Sequence, residues 1–161
     1  MTLGELAEVR QGLTMRGGLL PRSPASRGPH LLKIGDLTDS GEIRIDVVQP
    51  IEVAEAFVRR FSVQAGDVVI ANRGNRMTAA MIPEGLDAIA SGQLLILRIT
   101  SQLVAKEYVH LYLNLERTQK LLFSLTRGSL VRTLSVKVLK KEMPLQQNLW
   151  VENGSGSLPI V

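Results

Sequence analysis

The chain has 161 residues, of which 45% are hydrophobic, enough for one globular domain with one core. It contains no cysteine and only two histidines, which excludes disulfides and thiolate metal sites and disfavours a zinc cluster. The longest uncharged apolar runs are far shorter than the roughly 20 residues of a membrane span, and no basic-then-apolar leader is present. The composition therefore predicts a soluble, cytoplasmic protein with no membrane partner.

The first thirty residues predict a helical turn, a strand and a long loop. Apolar residues recur at helical spacing in residues 2–9, but Gly4 weakens a helix, so one turn followed by a strand is expected. Residues 12–30 are rich in glycine and proline and have no apolar period, which predicts an exposed loop. Loops of this length are usually either functional or disordered.

The middle of the chain predicts short strands separated by turns. Residues 30–34 and 42–47 contain clustered or alternating branched apolar residues, with turn formers between them. Residues 53–60 have helical apolar spacing, and the uninterrupted apolar run at residues 68–71 is typical of a buried strand. Further strands are expected at residues 77–82, 88–90 and 93–100.

After residue 101 the apolar period changes to one of about 3.6 residues, which predicts two helices or one bent helix over residues 105–125. Ser135 is a candidate N-cap of a further small helix. Residues 146–161 have an irregular, partly linker-like composition and are predicted to be a tail. The fold class expected for residues 1–145 is α+β, with many short, mostly antiparallel strands followed by a C-terminal helical portion.

Positive charge is concentrated in the C-terminal third of the chain. The formal net charge is +4, yet residues 1–100 balance 11 Lys and Arg against 11 Asp and Glu, whereas residues 101–142 contain 8 against 3. An asymmetric positive field attracts polyanions such as nucleic acid. A solvated basic face without a partner is the alternative that charge alone leaves open.

Several segments, taken in chain order, resemble the target-recognition domains of type I restriction-modification DNA specificity (S) subunits. They are LGELAEVRQG at residues 3–12, HLLKIGDL at 30–37, VQAGDVVIANRG at 63–74, and RGSLVRTLS at 127–135 leading into VLKKEMP at 138–144. Each motif is short and unspecific by itself. Their order across residues 3–145 carries the resemblance.

The resemblance implies sequence-specific recognition of double-stranded DNA by a chain that is not an enzyme and binds no cofactor. Methylation and cleavage would belong to separate methyltransferase (M) and restriction (R) subunits, which use S-adenosylmethionine, ATP and magnesium. A full S subunit resembles two such domains joined by long helices, and this sequence has one domain without a heptad segment. The proline-rich exit that ends in Glu-Gln is also missing. The chain is thus expected to be a half-subunit, a truncated product or an excised domain, with a second specificity half as a further candidate partner.

Arginines and amides on loops are the candidate DNA-binding residues, because loop side chains can reach base edges from a rigid scaffold. In residues 72–78, arginine suits guanine O6 and N7 and asparagine suits adenine, each pair contributing about 1–3 kcal/mol of discrimination. An alternative for Arg73 is a structural role, bound to carbonyls or to a carboxylate such as Asp67. The candidates in this loop are Arg73, Asn75, Arg76 and Thr78.

The loop at residues 127–132 and the helix after it are assigned to phosphate contacts, since glycine permits close backbone approach and basic residues supply charge. A plain helix connection with solvated arginines is the alternative. The residues assigned here are Arg127, Ser129, Arg132 and Lys137, with Lys140 and Lys141 in the same basic region. The loop at residues 12–30 ranks third because ordering it on binding costs entropy; its candidates are Arg16, Arg22 and Arg27.

Stacking on aromatic rings is not the expected binding mechanism. Aromatic residues make up 4% of the chain, and five of them fall on helix-like apolar faces, where they are predicted to be core: Phe57, Phe61, Tyr108, Tyr112 and Phe123. This argues against a platform for single-stranded nucleic acid, which needs interleaved aromatics.

The residues that common enzymes require are missing from the sequence. There is no Asp-x-Lys or Glu-x-Lys triplet of a nuclease, no Pro-Pro pair of an amino-methyltransferase and no glycine-rich nucleotide loop. Asp36 and Asp39 remain as one candidate carboxylate pair, with turn capping as the alternative. The chief rival function is a protein–protein adaptor, in which the helices around residues 108–123 dock on a methyltransferase or on a second copy. Docking and DNA binding are compatible.

Overall fold

The computed structural model describes residues 1–14, 20–21, 28–47, 49–128 and 130–145. Its strands are β1 (Ala7–Gln11), β2 (Leu20–Pro21), β3 (His30–Leu32), β4 (Gln49–Glu52), β5 (Ser62–Val63), β6 (Val68–Ala71), β7 (Ala79–Met81), β8 (Ala88–Ala90) and β9 (Leu94–Ile99). Its α-helices are α1 (Leu3–Leu6), α2 (Glu55–Phe61), α3 (Lys106–Asn114), α4 (Glu116–Leu125) and α5 (Val136–Glu142). No helix within these ranges is both long and apolar enough to cross a bilayer.

The strands form two sheets. One has the order β1-β9-β6-β7 and is antiparallel throughout. The other has the order β2-β4-β3-β8-β5, in which only the β3–β8 pair is parallel. The strands precede the helical portion made of α3, α4 and α5. The predicted α+β class, with short and mostly antiparallel strands, is confirmed.

Strands β6 and β9 form the centre of the molecule because both of their faces are covered. Successive side chains of a strand point to opposite faces. Val68 and Ile70 therefore pack in the cluster that includes α1, α3, α4 and α5, whereas Val69 packs with residues of the second sheet. A third cluster, around Ile89, lies between that sheet and α2. Composition predicted one core. In the structure the first sheet separates two clusters, and the second sheet separates the third from them.

The helical portion follows the sequence prediction closely. Two helices cover the region predicted at residues 105–125, and they are separate because Leu115 between them has an extended backbone. Ser135 caps α5, since its hydroxyl accepts a hydrogen bond from the Val138 amide. Burial raises the pKa of Tyr112, whose hydroxyl stays protonated and donates to the Pro144 carbonyl at 2.9 Å. This bond ties the end of the described chain to α3.

Two structural predictions are wrong. Residues 42–47 are not a strand: Ile43 makes a single bridge with Leu37, and the chain then enters a 3₁₀ turn at Ile45–Val47. Ile45 is 57% exposed, so the apolar alternation there faces no core. Phe57 and Phe123, predicted to be buried, are 45% and 41% exposed because each lies on the outer face of its helix.

In two other regions the structure shows features that the sequence prediction left open. Within residues 12–30, predicted as a loop, Leu20–Pro21 pairs with β4. Asp36 has the capping role, since its carboxylate accepts from the Lys33 amide at 2.9 Å, while Asp39 is exposed.

A buried ion pair fixes one end of the first sheet. Asp67 is 2% exposed and lies just before β6. It accepts two hydrogen bonds from Arg98 of β9, at 2.9 and 2.8 Å, and one from the Gln64 amide. These hydrogen bonds raise the pKa of Arg98, so the guanidinium is charged at any relevant pH. The bidentate geometry locks the β6–β9 register at this end.

We predict that Asp67→Asn lowers the free energy of unfolding by about 3 kcal/mol, because it leaves the Arg98 charge without its partner in a half-buried site. Urea denaturation followed by circular dichroism measures this. Asp39→Asn is the matched control, since Asp39 is exposed, and should change stability by less than about 0.5 kcal/mol. Equal effects of the two substitutions would contradict the structural role of Asp67.

Candidate nucleic-acid interface

Loops that are distant in sequence meet at one end of the four-stranded sheet. Antiparallel pairing places the end of β1, the end of β6 and the start of β9 side by side. The Gly12 amide donates to Leu94 O at 3.0 Å, and the Asn72 amide donates to Gln93 O at 3.0 Å. We call residues 10–14, 72–78, 91–93 and 127–133 the cationic end. Asp67 and Arg98 occupy the opposite end.

Gly12 permits the closest approach between these loops. A Cβ at this position would lie 2.0 Å from the Ser91 carbonyl oxygen, so no other residue fits without moving the backbone. The Leu13 amide donates to Ala90 O at 2.8 Å, and the Gly92 amide donates to Leu13 O at 2.7 Å. Residues 12–14 and 91–93 are therefore held together by backbone bonds.

The loops that the sequence assigned to bases and to phosphates form one continuous surface. Thr133 makes isolated bridges with both Arg73 and Arg127. The Leu134 amide also donates to Asn72 O at 2.7 Å. All three connections run through backbone atoms. The side chains of these residues are thus not needed for joining the loops.

Two carboxamide side chains hold the loop at residues 72–78 against the helices. The Met77 amide donates to Gln119 Oε1 at 2.8 Å, and Gln119 Nε2 donates back to Met77 O at 2.9 Å. Asn114 forms the equivalent pair with Ala79, at 3.0 and 2.8 Å. Gln119 is 7% exposed and also donates to Leu113 O. The free edge of β7 is thereby paired by side chains instead of by another strand.

A cleft with cationic walls lies beside the loops. It consists of two adjoining cavities of about 310 and 460 Å³ that share Gln11, Leu13 and Thr14. Arg10 Nη1 donates to Arg60 O at 3.0 Å, while its Nε and Nη2 atoms are buried and have no hydrogen-bond partner among the described residues. No described lining residue is acidic; the others are Gly12, Lys33, Phe61, Arg73, Ser91, Gly92 and Gln93.

The predicted base-contacting residues have different environments. Arg73 lines the cleft, and within the described part of the chain its side chain donates one hydrogen bond, of 3.3 Å, to Asn72. Asp67, the structural partner considered for it, binds Arg98 instead. Asn75 is exposed. Arg76 is more constrained, because it donates to Asn114 O at 2.9 Å and lies 3.8 Å from the Glu116 carboxylate. Thr78 is 8% exposed, so it presents little surface to a ligand.

The predicted phosphate-contacting residues are exposed. Arg127 donates to Thr126 O at 3.2 Å. Arg132 donates to Thr126 Oγ1 at 2.8 Å, and its guanidinium lies 4.8 Å from the centre of the Phe123 ring. Lys137 is exposed on α5. Four further candidates lie outside the described residues: Arg16, Arg22, Arg27 and Ser129.

Sequence reasoning missed the residues contributed by β1, β3, α2 and the β8–β9 turn. These are Arg10, Gln11, Lys33, Arg60 and Gln93. Each lies at or within one residue of the end of an element, which is a weak local signal, and only the sheet order brings them together. No group of three or more histidines and carboxylates suited to a metal ion occurs among the described residues.

Comparison with known proteins supports the fold assignment. The chain is similar to the S subunit of a type I restriction-modification system from M. genitalium, with a TM-score of 0.53, 11% identity, and coverage of 87% of this chain and 32% of that one. It is similar to the HsdS subunit from Thermoanaerobacter tengcongensis, with a TM-score of 0.50, 14% identity, and coverage of 86% and 34%. No protein-family model and no curated protein matches the sequence.

The chain is also similar to a structure described as the structural basis of complex assembly and conformational transition of the type I restriction-modification system. The TM-score is 0.57 and the identity 15%, with coverage of 86% of this chain and 31% of that one. The chain thus spans about a third of the length of each of these proteins. The resemblance stated from the sequence is confirmed at the level of the fold.

We predict that Gln119→Met, which keeps the length of the side chain but removes its carboxamide, lowers the free energy of unfolding by about 3 kcal/mol. The reason is that the Met77 amide and carbonyl lose their buried partners. The Met77 amide should also lose protection in hydrogen exchange. Gln102→Met, at an exposed position, is the control. Unchanged Met77 protection in Gln119→Met would refute the anchoring role.

Proposed function

We propose that this chain recognises double-stranded DNA sequence-specifically, as the recognition module of a type I restriction-modification system. The observation that carries the proposal is the double position of Arg73. Its side chain lines the cationic cleft, and its backbone pairs with Thr133 of the other loop. The residues proposed to face bases and those proposed to face phosphates are thus joined in one surface, which supports contact with a duplex. Methylation and cleavage would be carried out by separate M and R subunits.

The environments of the residues suggest a division of roles. Arg73 has unused guanidinium donors and suits guanine, while the exposed Asn75 suits adenine. Gln11 and Gln93, which line the cleft, add amides of the same kind. Arg127 and Lys137 suit phosphates because they are exposed and cationic. Arg76 is a positioning residue, since it is bound to the end of α3 and to Glu116.

The adaptor hypothesis receives less support from the helices themselves. Tyr108 and Tyr112 on α3 are buried against the sheet, which leaves Leu111 and Phe123, 42% and 41% exposed, as the large apolar residues that α3 and α4 offer for docking. The cleft has no acidic residue among its described lining, which favours a polyanion over an apolar protein surface. Association with M and R subunits or a second specificity half would use other faces of the domain.

We predict that selection from a random duplex pool yields a sequence motif with the wild-type chain, and that Arg73→Ala relaxes it at one position. The lost guanine contact corresponds to about 1–3 kcal/mol of discrimination. Arg76→Ala should weaken binding to all sequences by a similar factor, because Arg76 positions the loop and contacts no base. Lys106→Ala is the control, since Lys106 contacts Gly66 at the opposite end of β6. No enriched motif with the wild type would refute sequence-specific recognition.

We predict that the affinity for the selected duplex falls steeply with salt, and that Arg127→Ala reduces the slope of log K against log salt by about 1 without altering the motif. Fluorescence anisotropy at several salt concentrations measures this. Salt-insensitive association with a purified M subunit, in the absence of any duplex binding, would support the adaptor hypothesis instead.

A further inference from the structure

The connection between α4 and α5 is closed at its base. Arg127 and Thr133 exchange two backbone hydrogen bonds, of 3.0 and 2.8 Å. Gly128 has a φ of 126°, and a Cβ on it would lie 2.2 Å from the Val131 carbonyl oxygen. Only glycine fits such a position without strain. Arg127 and Thr133 are therefore held side by side, and Gly128 lies against the Val131 backbone.

Between Arg127 and Thr133 the connection presents apolar side chains to solvent. Leu130 is 98% exposed and Val131 is 59% exposed, and neither belongs to a core cluster. Leu130 is the most exposed of the large hydrophobic residues in the described chain. Removing apolar surface from water is favourable, so a partner that covers Leu130 would gain free energy of binding.

Cations surround this apolar tip. Arg127 and Arg132 flank it in sequence, and Arg132 is held in place over the Phe123 ring. The Arg73 backbone is bridged to Thr133 at the base of the connection. Neither residues 72–78 nor residues 127–133 contain an acidic residue. This arrangement of positive charge around an apolar tip is complementary to a polyanion, of which a nucleic acid duplex is the one that the proposed function supplies.

We propose that Leu130, with Val131 beside it, is a wedge that inserts between adjacent base pairs of the bound duplex. Arg127 and Arg132 then contact the phosphates on either side of the opened step. Apolar side chains such as leucine partly unstack a base step and kink DNA in this manner. The inference rests on the proposed function, because it describes how the same surface deforms its DNA. Such a wedge adds sequence specificity, because base steps differ in how easily they are unstacked.

The test uses the selected duplex with 2-aminopurine placed in turn at each step, because this base becomes fluorescent when it is unstacked. The wild-type chain should raise the fluorescence severalfold at one step. Leu130→Ala should lose most of the rise and bind about tenfold more weakly, equivalent to about 1.4 kcal/mol. Leu103→Ala, at a leucine that is 49% exposed elsewhere, is the matched control and should behave as the wild type. Thermal melts verify that both variants are folded.

The outcomes separate the wedge from the proposed function. Tight, sequence-specific binding without a fluorescence rise at any step overturns the wedge and leaves DNA recognition intact. Absence of duplex binding by the wild type overturns both. If Leu130→Ala leaves the fluorescence rise and the DNA affinity unchanged but abolishes association with a purified M subunit, the tip is a protein contact and the wedge is wrong.

Discussion

The pairing of the β7 edge by two side chains is the constraint on which the geometry of the cationic end depends. An edge strand leaves backbone amides and carbonyls unpaired, and a buried edge must satisfy them. Asn114 and Gln119 do this at Ala79 and Met77, alternate residues of one edge. Both carboxamides lie at the junction of α3 and α4. The junction therefore sets the position of residues 72–78 relative to the sheet. The loop cannot move without breaking the hydrogen bonds at Met77, which are buried, and straining those at Ala79, which are half-buried.

The C-terminal ends of two helices explain how several arginines can lie close together. Arg76 donates to the last carbonyl of α3, and Arg132 donates to carbonyls at the end of α4. The C-terminus of a helix carries partial negative charge, which partly offsets the positive charge of the arginine bound there. Each guanidinium has five N–H groups and retains some for a ligand. At Arg76 and Arg132 the positive charge is thus held by interactions that also stabilise the fold, which would limit the side-chain entropy lost in the proposed DNA binding.

The sequence predicted those parts of the structure that depend on local periodicity. The buried strand β6, the helices α3 and α4 and the Ser135 cap follow from apolar spacing and from capping chemistry. The prediction failed at residues 42–47, because alternation alone does not show whether a core faces the strand. The cleft was not predictable for a different reason: Arg10, Lys33 and Gln93 are far apart in the chain, and only the order of the sheets makes them neighbours.

The loops at the cationic end are connected through backbone atoms, so the fold there does not depend on which side chains the loops carry. Thr133 is joined to Arg73 and Arg127 through backbone atoms, and Asn72 O accepts from the Leu134 amide. The amide pair of Gln119 also binds backbone atoms of Met77. Among the described residues, the Arg73 side chain donates only to its neighbour Asn72, Asn75 is exposed, and Leu130 and Val131 belong to no core cluster. In the proposed recognition role, these positions can change, and the recognised DNA with them, while the backbone that presents them remains the same.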